Sequence, residues 1–179
     1  MTRPAPDPFL AEVARQLPDV DVVAIPVPDP SQVPPPLEGA LAERASRMTT
    51  NDLFDSVVGV WQVIFAAVTP PAQIQTQWFT HPTGDQRLVR AQAWIRHQVD
   101  DTLVDLTAGA AELEGRGWRV ATDQTFAGGR LRGRNGHVNV ELQRRSEGLV
   151  LLRAQSGYLC LVELGLELVG GGTGERVWP

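Results

Sequence analysis

Residues 130–144 read RLRGRNGHVNVELQR, and the fold is decided there. Asn135-Gly136 is a strong short hairpin signal, because a tight two-residue turn needs positive φ and Asn and Gly tolerate it. After the turn, Val138, Val140 and Leu142 alternate with Asn139, Glu141 and Gln143, which gives a strand one apolar and one polar face. Before it, Arg130, Arg132 and Arg134 fall on a single strand face. Gly128-Gly129 bends the chain into this hairpin, and Ser146-Glu147-Gly148 turns it back. Residues 118–122, 149–154 and 158–164 add short strands on either side, so this half of the chain reads as an antiparallel meander.

Working outward, Val99, Leu103, Leu106, Ala110 and Leu113 step by fours and threes, which makes one helical stripe. Asp100 is placed to cap that helix, with Asp101 and Asp105 near its positive end and Gly115 or Gly117 as its left-handed stop. Further upstream, Ile74, Thr76, Trp78 and Thr80 alternate with Gln73, Gln75 and Gln77. Val89, Ala91, Ala93 and Ile95 alternate with Arg90, Gln92, Trp94 and Arg96. With HPTGD at 81–85 between them, these runs predict a second hairpin; the rival is a long helix through Leu88, Ala91, Ile95 and Val99. From Leu37 the period is helical: Leu37, Leu41, Ala45 and Met48 recur, and 50–52 offer a capping site where the helix can break or restart. Phe54, Val57, Val58, Trp61, Ile64, Phe65 and Val68 continue an apolar face so wide that it must be covered on nearly all sides, and Pro70-Pro71 end it.

Ten of the fourteen prolines precede residue 37, six of them in PVPDPSQVPPP at 26–36. Such a run is neither helix nor central strand but extended, polyproline-like chain. Within it 9–17 suit a short helix and 20–25 an edge strand. The predicted organisation is a proline-rich arm (1–36), a single α+β domain (37–168) and a flexible Gly-rich tail (169–179). The predicted fold is an antiparallel β-sheet with two or three helices packed on one face, plus the N-terminal arm.

Composition sets limits on the chemistry. The 179 residues suffice for one domain with a real core. All sixteen basic residues are Arg, so mechanisms needing a lysine amine are excluded. The lone cysteine, Cys160, lies in an apolar strand and cannot form an internal disulfide. The longest greasy run, VVGVWQVIFAAV at 57–68, is too short for a membrane span. With no secretory signal at the start, the expectation is a cytoplasmic protein, or an exported one whose leader has been removed. His81, His97 and His137 are scattered without metal-ligand spacing, and Ser156 has no base nearby in sequence. The glycines at 170–174 are followed by too few residues for a phosphate-cradling helix. No cofactor, catalytic residue or metal site is therefore expected.

The charge is uneven: the chain carries −5 overall, whereas 116–153 hold eight Arg against Asp123, Glu141 and Glu147. Stacking aromatics between the arginines are missing, which argues against a nucleic-acid partner. Besides an enzyme whose site is assembled from dispersed residues near His97 or His137, two functions remain in view. One is an interaction module that binds a protein partner, or a second copy of itself, through Trp61, Ile64 and Phe65 of the broad apolar helix. The other binds an anion or a phospholipid headgroup through Arg130, Arg132, Arg134 and Arg144.

The blocks LVDLTAGAAELEGRGWRVATDQ (103–124), GGRLRGRNGHVNVELQRR (128–145) and GLVLLRAQSGYLCL (148–161) resemble the C-terminal half of small actinobacterial LppA-type lipoproteins. The resemblance spans about residues 48–161 and implies an α+β fold without implying an activity. This chain departs from that pattern in having no lipobox and in leaving Cys160 without the second cysteine of a disulfide.

Overall fold

The alternating residues after Ala72 settle as two antiparallel strands, β2 (Gln73–Thr80) and β3 (Leu88–Gln98), so the helical alternative is discarded. A helix there would have set Arg90 and Gln92 among buried Val89, Ala91 and Ala93, whereas period two separates them onto opposite faces. The computed structural model describes residues 33–68, 71–82, 84–99, 105–124, 128–145 and 147–179. The elements expected at 9–17 and 20–25, and nearly all of the proline-rich arm, lie outside these residues.

Residues 34–179 form one compact unit. Its first elements are a two-residue strand β1 (Pro36–Leu37) and the helix α1 (Gly39–Ile64). The β2–β3 hairpin is followed by helix α2 (Leu106–Gly115) and the meander β4 (Arg119–Asp123), β5 (Arg130–Asn135), β6 (Val138–Arg144) and β7 (Leu149–Gln155). The short strand β8 (Leu159–Leu161), helix α3 (Leu164–Gly170) and strand β9 (Gly174–Val177) complete it. Strand β7 returns from the meander to pair antiparallel with β3, so the sheet runs β9-β2-β3-β7-β6-β5-β4, with β8 against the start of β3 and β1 against β8. The β1–β8 pair is parallel, Pro36 opposite Cys160, which corrects the expectation of a purely antiparallel sheet: the sheet is mixed.

One sheet face is apolar. Val89, Ala91, Ala93 and Ile95 of β3, Val150, Leu152 and Ala154 of β7, Val138, Val140 and Leu142 of β6 and Leu131 of β5 are all buried. Helix α1 crosses β3, β7 and β6, α2 covers β4 and β5, and α3 covers β2 and β3. Each large apolar side chain removed from water at this interface contributes about 1.5–3 kcal/mol. Asp105 caps α2: its carboxylate accepts from the backbone N–H of Thr107 (2.9 Å) and Ala108 (3.0 Å), while the cap expected at Asp100 lies outside the described residues. Gly117, at φ +85°, supplies the left-handed stop.

Helix α1 departs from the sequence reading in two ways. It runs unbroken past residues 50–52, and its first half is rotated relative to the apolar residues. The buried stripe is Ala42, Ser46, Thr49, Leu53, Val57, Val60 and Ile64, whereas Leu41 and Met48 are exposed. Ser46 is tolerated at that interface because its hydroxyl donates to the carbonyl of Glu43 (2.9 Å) within the helix. The stretch 169–179, expected as a flexible tail, is instead built into the structure. Strand β9 pairs with β2, Arg176 reaches Asn51 (3.0 Å) and lies over the Phe54 ring, and Trp178 packs edge-on against Trp61.

Candidate anion-binding face

The polar alternates of the same strands form the opposite face of the sheet. Strand register fixes which of them are neighbours. Arg132 lies opposite Glu141 and Ala121, and Glu141 lies opposite Arg153. In the next row, Arg119 lies opposite Arg134, Arg134 opposite Asn139, and Asn139 opposite Gln155. Together they line a shallow cleft of about 410 Å³ across β4, β5, β6 and β7.

Glu141 is the one acid among the described residues that line this cleft. It gathers three guanidiniums: Arg130 Nε at 2.9 Å, Arg132 Nε at 3.3 Å, and Arg153, whose Nη2 donates to the other carboxylate oxygen. Partial burial works to raise its pKa, but hydrogen bonds from Arg153 and Gln143 and the charges of Arg153 and Arg130 outweigh it and hold the carboxyl below the ordinary glutamate range. One carboxylate therefore serves three arginines. The row beside it holds two more, Arg119 and Arg134, in direct cross-strand opposition with no carboxylate partner among the described residues. Like charges directly opposite one another on a sheet are destabilising. An anion seated between them converts that repulsion into charge-assisted hydrogen bonds.

The structure separates the four arginines expected to act together. Arg130, Arg132 and Arg134 do share a face, but Arg144 is an even-numbered residue of β6 and falls with Val140 and Leu142 on the helix-covered side, where its Nε donates to the carbonyl of Gly128 (2.6 Å). In its place the register brings in Arg153 from β7 and Arg119 from β4. Both belong to the basic segment legible in the sequence, but their convergence depends on which strands are neighbours.

The residues expected to meet a partner are also placed elsewhere. Trp61 and Phe65 are 1% exposed and Ile64 7%, all within the core of this chain. The breadth of the helix's apolar face is accounted for by cover from the sheet, α2 and α3. Trp61 stacks on Phe65 with ring centres 4.3 Å apart and meets His97 edge-on.

The histidines are dispersed: His97 lies against Trp61, His81 against Tyr158, and His137 Nε2 lies 3.1 Å from Asp52, joining the β5–β6 turn to α1. No group of metal-ligating residues converges among the described residues. His137, Asp52 and Ser156 do line one hollow of about 320 Å³, a juxtaposition the sequence does not show. The Ser156 hydroxyl is, however, committed to the backbone: it accepts from the N–H of Ala91 (3.0 Å) and donates to the carbonyl of Gly157 (2.7 Å), so its proton is not presented to His137. Cys160 is buried. No helix among the described residues is long and apolar enough to cross a membrane.

Comparison with protein families, with characterised proteins and with solved structures finds no match, so the resemblance to LppA-type lipoproteins rests on the quoted motifs alone.

Proposed function

We propose that this protein is a binding module that takes an anionic ligand on the open face of its sheet. The observation that carries this reading is the opposed pair Arg119 and Arg134, beside a carboxylate already shared among Arg130, Arg132 and Arg153. Guanidinium is a planar fork matched to carboxylate and phosphate oxygens, and it stays charged at any physiological pH. Placement on adjacent paired strands fixes the two backbones, so the ordering cost of forming the site is confined to the side chains. The net charge of −5 over the whole chain does not oppose this, because exposed charges more than about 10 Å away are largely screened at ordinary salt.

The test is thermal denaturation with added citrate or inorganic pyrophosphate, followed by titration calorimetry. A ligand bound only to the folded state raises Tm, by an amount that grows with the logarithm of its concentration above Kd. The wild type is expected to be stabilised, and less so as sodium chloride is raised. Arg119→Gln with Arg134→Gln is expected to abolish the shift, while Arg144→Gln, on the other face, leaves it intact. Absence of any shift or heat with both anions on the wild type overturns the reading.

A further inference from the structure

The arginine pair does not stand alone on the open face but ends a continuous polar row. From the far side of the sheet the register runs Gln77 (β2), Gln92 (β3), Gln155 (β7), Asn139 (β6), Arg134 (β5), Arg119 (β4), each directly opposite the next. With strands about 4.8 Å apart, the row is about 24 Å long and perpendicular to the strands. Four of its six members are primary amides, and Asn139 is exposed while the three glutamines are half-buried. The adjoining row runs Gln75, Trp94, Arg153, Glu141, Arg132, placing one indole ring beside the amides.

The chemistry of that row discriminates between ligands. An amide both donates and accepts, whereas phosphate oxygens only accept. A polyphosphate or nucleic-acid backbone laid along the row would use only the NH2 half of each amide and leave four amide carbonyls unpaired by the ligand. A sugar hydroxyl also donates and accepts, so a chain of sugars uses both halves of each amide. Trp94 then offers a flat apolar surface to a ring, and Arg134 and Arg119 take an acidic substituent at one end. Building on the anion-binding reading, we propose that the ligand of this face is an acidic oligosaccharide lying across the strands.

Four probes test this by titration calorimetry on the full chain: an oligouronate hexasaccharide, maltohexaose, citrate and a dT10 oligonucleotide. The oligouronate is expected to bind more tightly than each of the other three. Gln77→Ala with Gln92→Ala removes two amides that lie outside the cleft around Arg119 and Arg134; it is expected to weaken oligouronate about tenfold, the loss of two hydrogen bonds, and to leave citrate unchanged. Gln77→Leu with Gln92→Leu, which removes the same amides while keeping their bulk, is a second version should the first pair unfold the protein. Oligouronate binding unaffected by either pair, or dT10 binding more tightly than oligouronate, overturns the glycan assignment while leaving anion binding in place. Loss of citrate and oligouronate binding together in the wild type refutes the anion-binding reading itself.

Discussion

Glu141 sits where three guanidiniums would otherwise repel one another, and its side chain is 15% exposed. Its charge should be visible in stability. A carboxylate whose folded pKa is depressed contributes stability that is complete above the unfolded pKa and is lost as pH falls through the folded one. Glu141→Gln is therefore expected to be less stable than wild type by about 1 kcal/mol near neutrality, the scale of a partly exposed ion-pair network. The gap should close on acidification below the ordinary glutamate range. Urea denaturation across a pH series measures this, and a gap independent of pH would mean that the carboxylate charge is not what matters. Gly109 carries another residue-scale prediction. A Cβ there would lie 2.9 Å from Ile64 Cγ1, so α1 and α2 approach as closely as they do because that atom is absent. Gly109→Ala gains helix propensity but meets Ile64, while Gly109→Val adds further bulk. The valine variant should lose about 1–3 kcal/mol by overpacking, more than the alanine variant. Equal stability of all three proteins would show that the helices separate freely.

At the scale of elements, caps and edges decide. Asp105 satisfies two of the N–H groups left unpaired at the start of α2. Asp105→Ala should cost about 1 kcal/mol, read as a lower denaturation midpoint with an unchanged slope. Strand β9 closes the edge of β2 and brings Trp178 to Trp61. Truncation after Gly172 uncovers that edge and a tryptophan face together. It should lower Tm and promote aggregation on heating, since an exposed strand edge templates pairing with other chains. A truncated protein as stable and as soluble as the full chain would show that the last strand is dispensable. The rotation of α1 is an element-scale matter too. Its first half was legible as helix, but Leu41 and Met48 were not legible as exposed. An apolar stripe drawn through Leu37, Leu41 and Met48 differs by one position from the stripe that continues Leu53, Val57 and Val60 over the sheet, and the continuous helix obeys the latter.

For the whole molecule, the central event is the pairing of β3 with β7, strands separated in sequence by α2 and the β4–β6 meander. A sheet whose middle pair is so distant must close a long loop before most core contacts are made. Folding is therefore expected on the millisecond-to-second scale, and stopped-flow tryptophan fluorescence resolves it. Completion within microseconds would contradict this topology as the folding barrier. That same pairing separates what sequence alone determined from what tertiary structure decided. Alternation in 73–80, 89–96 and 138–144, with the Asn135-Gly136 turn, marked those strands and their two faces, because period two is a local property of the backbone; the apolar run at 149–152 marked a strand without saying which of its faces meets the core. Which strands lie side by side is not local. The arrival of Arg153 beside Glu141, the exclusion of Arg144, the amide row from Gln77 to Asn139, the parallel β1–β8 pair and the anchoring of β9 all follow from register between distant segments. Trp61, Ile64 and Phe65 show the same limit: their apolarity was plain in the sequence, but whether the chain itself would cover them was settled only when the sheet, α2 and α3 closed around α1.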